Sequence, residues 1–182
     1  MSVSLVLTVI GDDRPGLVRS LSQAVAAHGG SWQQSHMARL AGKFAGILRV
    51  EVPADQAAGL EAALDEMPSA GLQITVTAGH EGATSRIVGQ TRALILELTG
   101  DDRPGIVRDI SQALAIRGVN IESLETESDN APMSGGLLFR ATARLQLPES
   151  DSAEELRQFL ETLGHDLMVD ILLDEDEDSA AR

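Results

Sequence analysis

Leu5-Val-Leu-Thr-Val-Ile-Gly-Asp-Asp-Arg-Pro-Gly-Leu-Val-Arg-Ser-Leu-Ser-Gln-Ala24 recurs as Leu94-Ile-Leu-Glu-Leu-Thr-Gly-Asp-Asp-Arg-Pro-Gly-Ile-Val-Arg-Asp-Ile-Ser-Gln-Ala113. The hexapeptide Gly-Asp-Asp-Arg-Pro-Gly thus occurs twice, at an offset of 89 (Gly11 to Gly100, Pro15 to Pro104, Gly29 to Gly118). Self-similarity at a fixed period marks a repeated structural unit. The 182 residues therefore read as two copies of one small domain, each near the lower end of ordinary domain size. Further along, the offset is 95 (Phe44 to Phe139, Pro53 to Pro148). The second copy carries about six extra residues, and Ser128-Asp-Asn-Ala-Pro-Met-Ser-Gly-Gly136 is where they fit.

Both copies give the same order of elements. A β-branched apolar run (Val3–Ile10; Arg92–Thr99) predicts a strand with at least one buried face. A turn follows, then a helix starting near Pro15 or Pro104, since proline suits the first helical position. Leu17, Val18, Leu21 and Val25, and likewise Ile106, Val107, Ile110 and Leu114, recur at helical spacing. Gly29 and Gly118 stand where a helix ends on a left-handed residue. Two strands come next, Ser31–Leu40 and Phe44–Val52 in one copy, Asn120–Glu127 and Leu137–Leu147 in the other. Gly42 and Gly135-Gly136 mark their hairpin turns. Second helices are expected at roughly Ala54–Met67 and Ser152–Leu163, with Asp55 or Ser152 as caps. Last strands fall at Leu72–Ala78 and Asp166–Leu173. The order β-α-β-β-α-β is the split-βαβ, ferredoxin-like plan. The expected class is α+β: antiparallel sheets with helices on one face, a first domain over residues 1–80, a linker over 81–91, a second domain over 92–174 and a disordered acidic tail over 175–182.

Composition narrows the function. Hydrophobic residues make up 43% and charged residues 23%, ordinary for a globular protein. Aromatics are only 2%, so the cores must be built from Leu, Ile, Val and Ala. The net charge is −14 and Lys43 is the single lysine. Contact with a phosphate backbone depends on Lys and Arg displacing counterions, which argues against direct nucleic-acid binding. Without cysteine, disulfides, thiolate catalysis and cysteine metal sites are excluded. Met1–Ile10 lacks a basic n-region and no apolar run approaches the length of a membrane span. A cytoplasmic protein without membrane attachment is expected.

The strand ending in Gly-Asp-Asp-Arg-Pro-Gly-[Leu/Ile]-Val, followed by a helix and Gly-[Gly/Val]-[Ser/Asn]-[Trp/Ile], resembles the ACT domain. Two such repeats with no catalytic region resemble the glycine cleavage system transcriptional repressor family. The resemblance covers nearly the whole chain except the acidic tail. It implies a regulatory module that binds a small amino-acid effector, glycine or serine, between paired domains. The ligand would touch the turn and the start of the second strand, where Asn120 matches a position that often holds asparagine and the first copy has Ser31. It further implies control of a DNA-binding activator by protein contact, and a homodimer formed through sheet edges. A stand-alone regulatory subunit for a metabolic enzyme is the other reading. A relative of the formyltetrahydrofolate deformylases that carry this module is disfavoured, because a second repeat occupies the place of the catalytic region.

The chemistry of the turn agrees with a ligand site comprising Asp12, Asp13, Arg14, Pro15, Gly16 and Leu17, and Asp101, Asp102, Arg103, Pro104, Gly105 and Ile106. At a helix start the backbone N–H groups lack intrahelical partners, and the positive dipole end suits a carboxylate. Gly16 and Gly105 permit close approach. The aspartates can receive an ammonium group or cap the helix, and a purely structural helix-start device is the plain alternative. Arg14 and Arg103 can face solvent, pair with an acid or hold a carboxylate. Trp32 is read as a core or interface side chain. His28, near a helix end where a cation is favoured, is read as a cap, with Arg117 in its place in the second copy. Catalytic residues, metal ligands and cofactors are not expected: His28, His36, His80 and His165 make no metal-binding pattern, and neither a nucleophile elbow nor a phosphate-binding glycine loop occurs. The 128–136 insertion breaks the repeat symmetry and is a candidate partner contact.

Overall fold

The computed structural model describes residues 1–67, 71–79, 91–130 and 136–176. Its contacts divide into two units, Met1–Thr84 and Ser85–Arg182. Unit 1 contains β1 (Ser2–Asp12), α1 (Leu17–Ala27), β2 (Ser31–Leu40), β3 (Lys43–Pro53), α2 (Ala57–Asp65) and β4 (Leu72–Ala78). Unit 2 repeats this with β5 (Thr91–Asp101), α3 (Ile106–Ile116), β6 (Asn120–Asn130), β7 (Leu137–Pro148), α4 (Ala153–Leu167) and β8 (Val169–Glu175). The sheet orders are β2-β3-β1-β4 and β6-β7-β5-β8, with every neighbour antiparallel. This is the expected α+β plan, twice.

Each core lies between one sheet face and its two helices. Leu5, Leu7 and Val9 alternate inward along β1 and meet Leu48, Val50 and Val52 of β3. Four-residue spacing places Leu17, Leu21 and Val25 on one side of α1, above them, and Leu60 and Leu64 of α2 complete the layer. Unit 2 repeats the arrangement with Leu94, Leu96 and Leu98, Leu145 and Leu147, Ile110 and Leu114, and Leu156 and Leu160. Trp32 packs partly buried against the unit 1 core, as expected. The first hairpin strand of each unit carries the same irregularity: the register shifts between Trp32 and Gln34 in β2, and between Ile121 and Ser123 in β6. The insertion adds a pair to its hairpin, Asn130 opposite Leu137; residues 131–135 lie outside the described residues.

Several boundaries differ from expectation for local reasons. The first helices begin at Leu17 and Ile106, so Pro15 and Pro104 stand in the turn and not at the first helical position. Gly16 and Gly105 adopt φ of 96° and 102°, a left-handed conformation from which helical dihedrals start only at the next residue. Neither helix has a side-chain cap, so the aspartates of the turn do not cap them. Asp55 does not cap α2, which follows Gln56 without a side-chain bond. Ser152 does cap α4, accepting from the Glu155 amide at 3.3 Å. That helix runs to Leu167, past Leu163, with Gly164 buried within it, where a Cβ would lie 2.8 Å from the Val169 carbonyl oxygen. The last strand accordingly starts at Val169 and not at Asp166, and it extends through Glu175. The expected linker falls outside the described residues except for Thr91, which opens β5, and so does the tail beyond Asp176.

Candidate functional site

The two turns are built alike. Each closes with a backbone bond to the neighbouring hairpin: the Asp13 amide donates to the Gly42 carbonyl at 2.9 Å, and the Asp102 amide donates to Leu137 at 2.8 Å. The first backbone bonds closing the helices run from the Ser20 amide to Gly16 and from the Asp109 amide to Gly105, both 2.9 Å. The earlier amides, those of Leu17, Val18 and Arg19 and of Ile106, Val107 and Arg108, are the ones an α-helix leaves without intrahelical partners. With glycine at the cap position, no side chain competes for them. Around Gly16 nothing lies within 4 Å of where a Cβ would be. Such a turn can take a carboxylate against the helix dipole.

The charges around the turns differ. In unit 1 Lys43 bonds the Asp12 carboxylate, and Arg39 lies 3.5 Å from Asp13. Lys43 first, and Arg14 to a lesser degree, hold the Asp12 carboxyl below its ordinary value. Arg14 reaches back over the start of β4, where its guanidinium would lie 3.0 Å from a Cβ on Gly71. In unit 2 the registers put Leu138 opposite Asp101 and Ser128 in the place of Arg39. Among the described residues Asp101 and Asp102 have no ion-pair partner. Besides Arg103 in the turn itself, Arg108 lies near it: its guanidinium would meet a Cβ on Gly105 at 3.1 Å, and it pairs with Asp109 at 2.7 Å. Hydrogen bonding from Arg108 lowers the Asp109 carboxyl below its ordinary value. Arg108 and Asp109 had not been singled out from the sequence; only the change from Ser20 to Asp109 within the repeat marked the place.

Ser31 and Asn120 are exposed at the starts of β2 and β6. Neither reaches the turn of its own unit. Asp12 is opposite Lys43 on β3 and Ser31 is opposite Glu51 on the same strand. Eight residues of extended chain put the two roughly 26 Å apart. Asn120, opposite Gln146, is displaced equally from Asp101, opposite Leu138. The turn and the strand start therefore occupy opposite ends of each sheet.

Two family models, each describing an ACT domain, match this chain, one over residues 4–77 and the other over residues 94–161. The chain belongs to the ACT-domain family. One matched segment falls in each of the two units of the fold. Among solved structures, an unknown protein from Galdieria sulphuraria is 33% identical, with a TM-score of 0.80, over 97% of this chain and 99% of its own. A proposed glycine cleavage system transcriptional repressor is similar in fold, at 17% identity and a TM-score of 0.72, over 97% of this chain and 99% of its own. No match was found among curated proteins. ACT domains are regulatory modules, and their duplication here bears on amino-acid-sensing control.

The remaining residues of interest have structural roles. The His28 ring donates from Nδ1 to the Ala24 carbonyl at 2.9 Å, and its ring lies against Gly59 of α2. Arg117 takes the same place on α3 and stacks 4.3 Å from the ring centroid of Phe159 on α4. Each residue ties the end of one ACT helix to the other. Among the described residues no three His, Asp or Glu side chains gather as a metal site, and no helix is long and apolar enough to cross a membrane.

Proposed function

We propose that this tandem ACT protein is a non-enzymatic regulator that binds a free amino acid and passes the binding state to a partner protein. The observation that carries the reading is the pair of glycine-started helices. Gly16 and Gly105 hold left-handed turns, no side chain caps the helices, and Asp12, Asp13, Asp101 and Asp102 lie in the chain just before the uncapped amides. That combination offers donors for a carboxylate and acceptors for an ammonium within one turn. Arg14, Pro15, Arg103 and Pro104 shape it, and Leu17 and Ile106 supply the first amides. Because Ser31 and Asn120 lie at the far end of each sheet, a site that includes them takes the strand start from another ACT domain. A homodimer pairing sheet edges supplies one.

The partner reading follows the full-length similarity to the proposed glycine cleavage repressor. The chain then acts as a cytoplasmic repressor of that system, contacting a DNA-binding activator and not DNA. Its net charge of −14 with a single lysine favours protein contact over a phosphate backbone. The effector shifts the partner equilibrium only as far as it prefers one arrangement. By the same analogy alone the effector is glycine or serine. A regulatory subunit conferring feedback on a metabolic enzyme is the competing reading. Co-purification separates the two: a helix-turn-helix activator for the first, an amino-acid-metabolising enzyme for the second.

A thermal-shift screen of the full chain against the twenty amino acids tests the effector step. Binding to the folded state alone stabilises it by about 2.7 kcal/mol at a hundredfold excess over Kd. A shift with one or a few amino acids, lost on Gly105→Ala or Asn120→Ala, supports the reading. No shift with any of them rejects it.

A further inference from the structure

The two units are near-copies in sequence but are packed unequally. In unit 2 a cavity of about 30 Å³ opens beneath α3, between that helix and the sheet. Leu98, Ile106, Ile110, Ile121, Phe139 and Ala141 are among its walls. Val107 and Leu124 also line it and are 42% and 44% exposed, so its mouth lies between α3 and β6. Its one polar lining residue is Ser111, whose hydroxyl is bonded to the Arg108 carbonyl at 3.0 Å. The space exceeds the roughly 10–15 Å³ that holds a water molecule, but its walls give a water no partners. It favours an apolar guest.

Three differences between the repeats bear on the space, the first being Ala143 of its wall, which stands at the register position of the buried Leu48. Ile121 stands at the register position of Trp32, and Thr126, opposite Ala141, stands at that of Met37, opposite Gly46. In unit 1 both Trp32 and Met37 pack against the core, and a Cβ on Gly46 would lie 2.5 Å from Met37 Cγ. Unit 2 has a shorter side chain at each position. Leu124 in place of Ser35 is the opposite change, but it stands at the mouth.

We infer that the ACT domain of unit 2 reads the side chain of its effector, and that it accepts a small branched aliphatic one, as in valine, leucine or isoleucine. This rests on the effector reading above and departs from the glycine analogy. The cavity adjoins the turn through the chain itself. Ile106, in its wall, is the residue directly after Gly105, and Phe139, also in its wall, lies opposite Gly100, directly before Asp101. An amino acid with its carboxylate on the first-turn amides and its ammonium toward Asp101 or Asp102 presents its side chain beside Ile106. In unit 1 the matching carboxylates are engaged by Lys43 and Arg39, and Trp32 occupies the place of Ile121. The cavity assigns the side-chain class, and the free carboxylates make unit 2 the domain that uses it.

Calorimetry and thermal shift on the full chain with L-valine, L-leucine, L-isoleucine, glycine and L-serine test the inference. At least one branched amino acid is expected to bind about tenfold or more tighter than glycine and serine, the discrimination that buried methylene groups supply. Ile121→Trp puts the unit 1 residue into the cavity. It should weaken that binding by a similar factor while leaving the ligand-free melting temperature unchanged or higher, and Trp32→Ile should leave binding intact. If Ile121→Trp does not fold, Ala143→Leu, which restores the unit 1 residue in the cavity wall, carries the test. Binding of glycine or serine alone, or branched-chain binding indifferent to the folded variant, overturns the cavity assignment and leaves the effector reading in place. No binding of any of the five, nor of any other amino acid, overturns both.

Discussion

Lys43 stands opposite Asp12 in the β1–β3 register and donates to its carboxylate, whereas Leu138 stands opposite Asp101 at the same place in the second repeat. The repeat is thus symmetric in backbone and asymmetric in charge. Lys43 and Arg14 hold the Asp12 carboxyl below its ordinary value. A lowered folded-state value means stability that is fully present above the ordinary carboxylate range and lost as pH falls through it. The pair is exposed, so the effect is small and screened by salt. Lys43→Leu, which imports the unit 2 residue, should lower the urea midpoint slightly at pH 7 and by less at pH 2, as acid protonates Asp12. An equal loss at both pH values would show that Lys43 acts by packing and not by charge.

Gly11, near the end of β1, and Gly16, in the turn that follows, stand five residues apart and are needed for different reasons. Gly11 has no left-handed φ, but a Cβ there would lie 2.4 Å from the Gly71 carbonyl oxygen, a backbone atom that cannot swing aside. Gly16 has open space around it and a φ of 96°. Gly11→Ala should cost about 1–3 kcal/mol through strand displacement, with slowed or incomplete pairing of β4. Gly16→Ala should cost about 1–2 kcal/mol through backbone conformation alone. Hydrogen exchange distinguishes the two: lost protection in β4 is expected for Gly11→Ala and not for Gly16→Ala. Equal protection in both variants would contradict this assignment.

How far these features could be read in advance depended on their period. The duplicated hexapeptide, the alternation of Leu5, Leu7 and Val9 and the four-residue spacing of Leu17, Leu21 and Val25 each mark an element by repetition; with the glycine and proline punctuation at Gly42, Pro53 and Pro148 they made the eight strands and four helices of the described residues legible. The limits of elements were less so. Proline at position 15 has two compatible places, in the turn or at the first helical residue, and only the left-handed Gly16 decides between them. The expected helix stops at Leu163, yet α4 continues through Gly164, which packs closely against β8. The turns were legible as a site because glycine, proline and acid occur there together. The separation of Asn120 from Asp101 was not, because it depends on strand register. The cavity was not legible either, since replacing Trp32 by Ile121 is one apolar residue for another until the helix above it is in place.

Caps give a direct comparison of the two second helices. Ser152 accepts from the Glu155 amide at the start of α4, while Asp55 makes no such bond at α2. Ser152→Ala should cost about 1 kcal/mol, and Asp55→Ala should fall within the scatter of ordinary surface substitutions, about 0.5 kcal/mol either way. Chemical denaturation of the two variants side by side measures the contrast. A larger loss for Asp55→Ala would reverse the assignment of caps.

Arg117 over Phe159 is a second local test, in the place where the first repeat has His28. A guanidinium on a partly exposed ring contributes about 0.5–1 kcal/mol. A double-mutant cycle with Arg117→Ala and Phe159→Leu should recover a coupling of that size, insensitive to salt compared with the surface ion pairs. A coupling of zero would leave Arg117 as a solvent-facing side chain.

The opposite placement of Asp101 and Asn120 predicts how binding responds to mixing. If an effector is held by the turn of one copy and the strand start of another, Gly105→Ala and Asn120→Ala each remove binding at unit 2 when present alone. Unfolded and refolded together in equal amounts, the two variants form mixed dimers in which one site combines both defects and the other combines two intact halves. With random pairing and an isologous interface, about one quarter of the wild-type sites should return. Calorimetric stoichiometry reads this directly, because the recovered sites bind with wild-type affinity and only their number is reduced. Recovery near that level establishes a site shared between copies. Absence of recovery, with each variant folded and dimeric, means that no site is shared between copies and that the distance along the sheet is not bridged by a second copy of the chain.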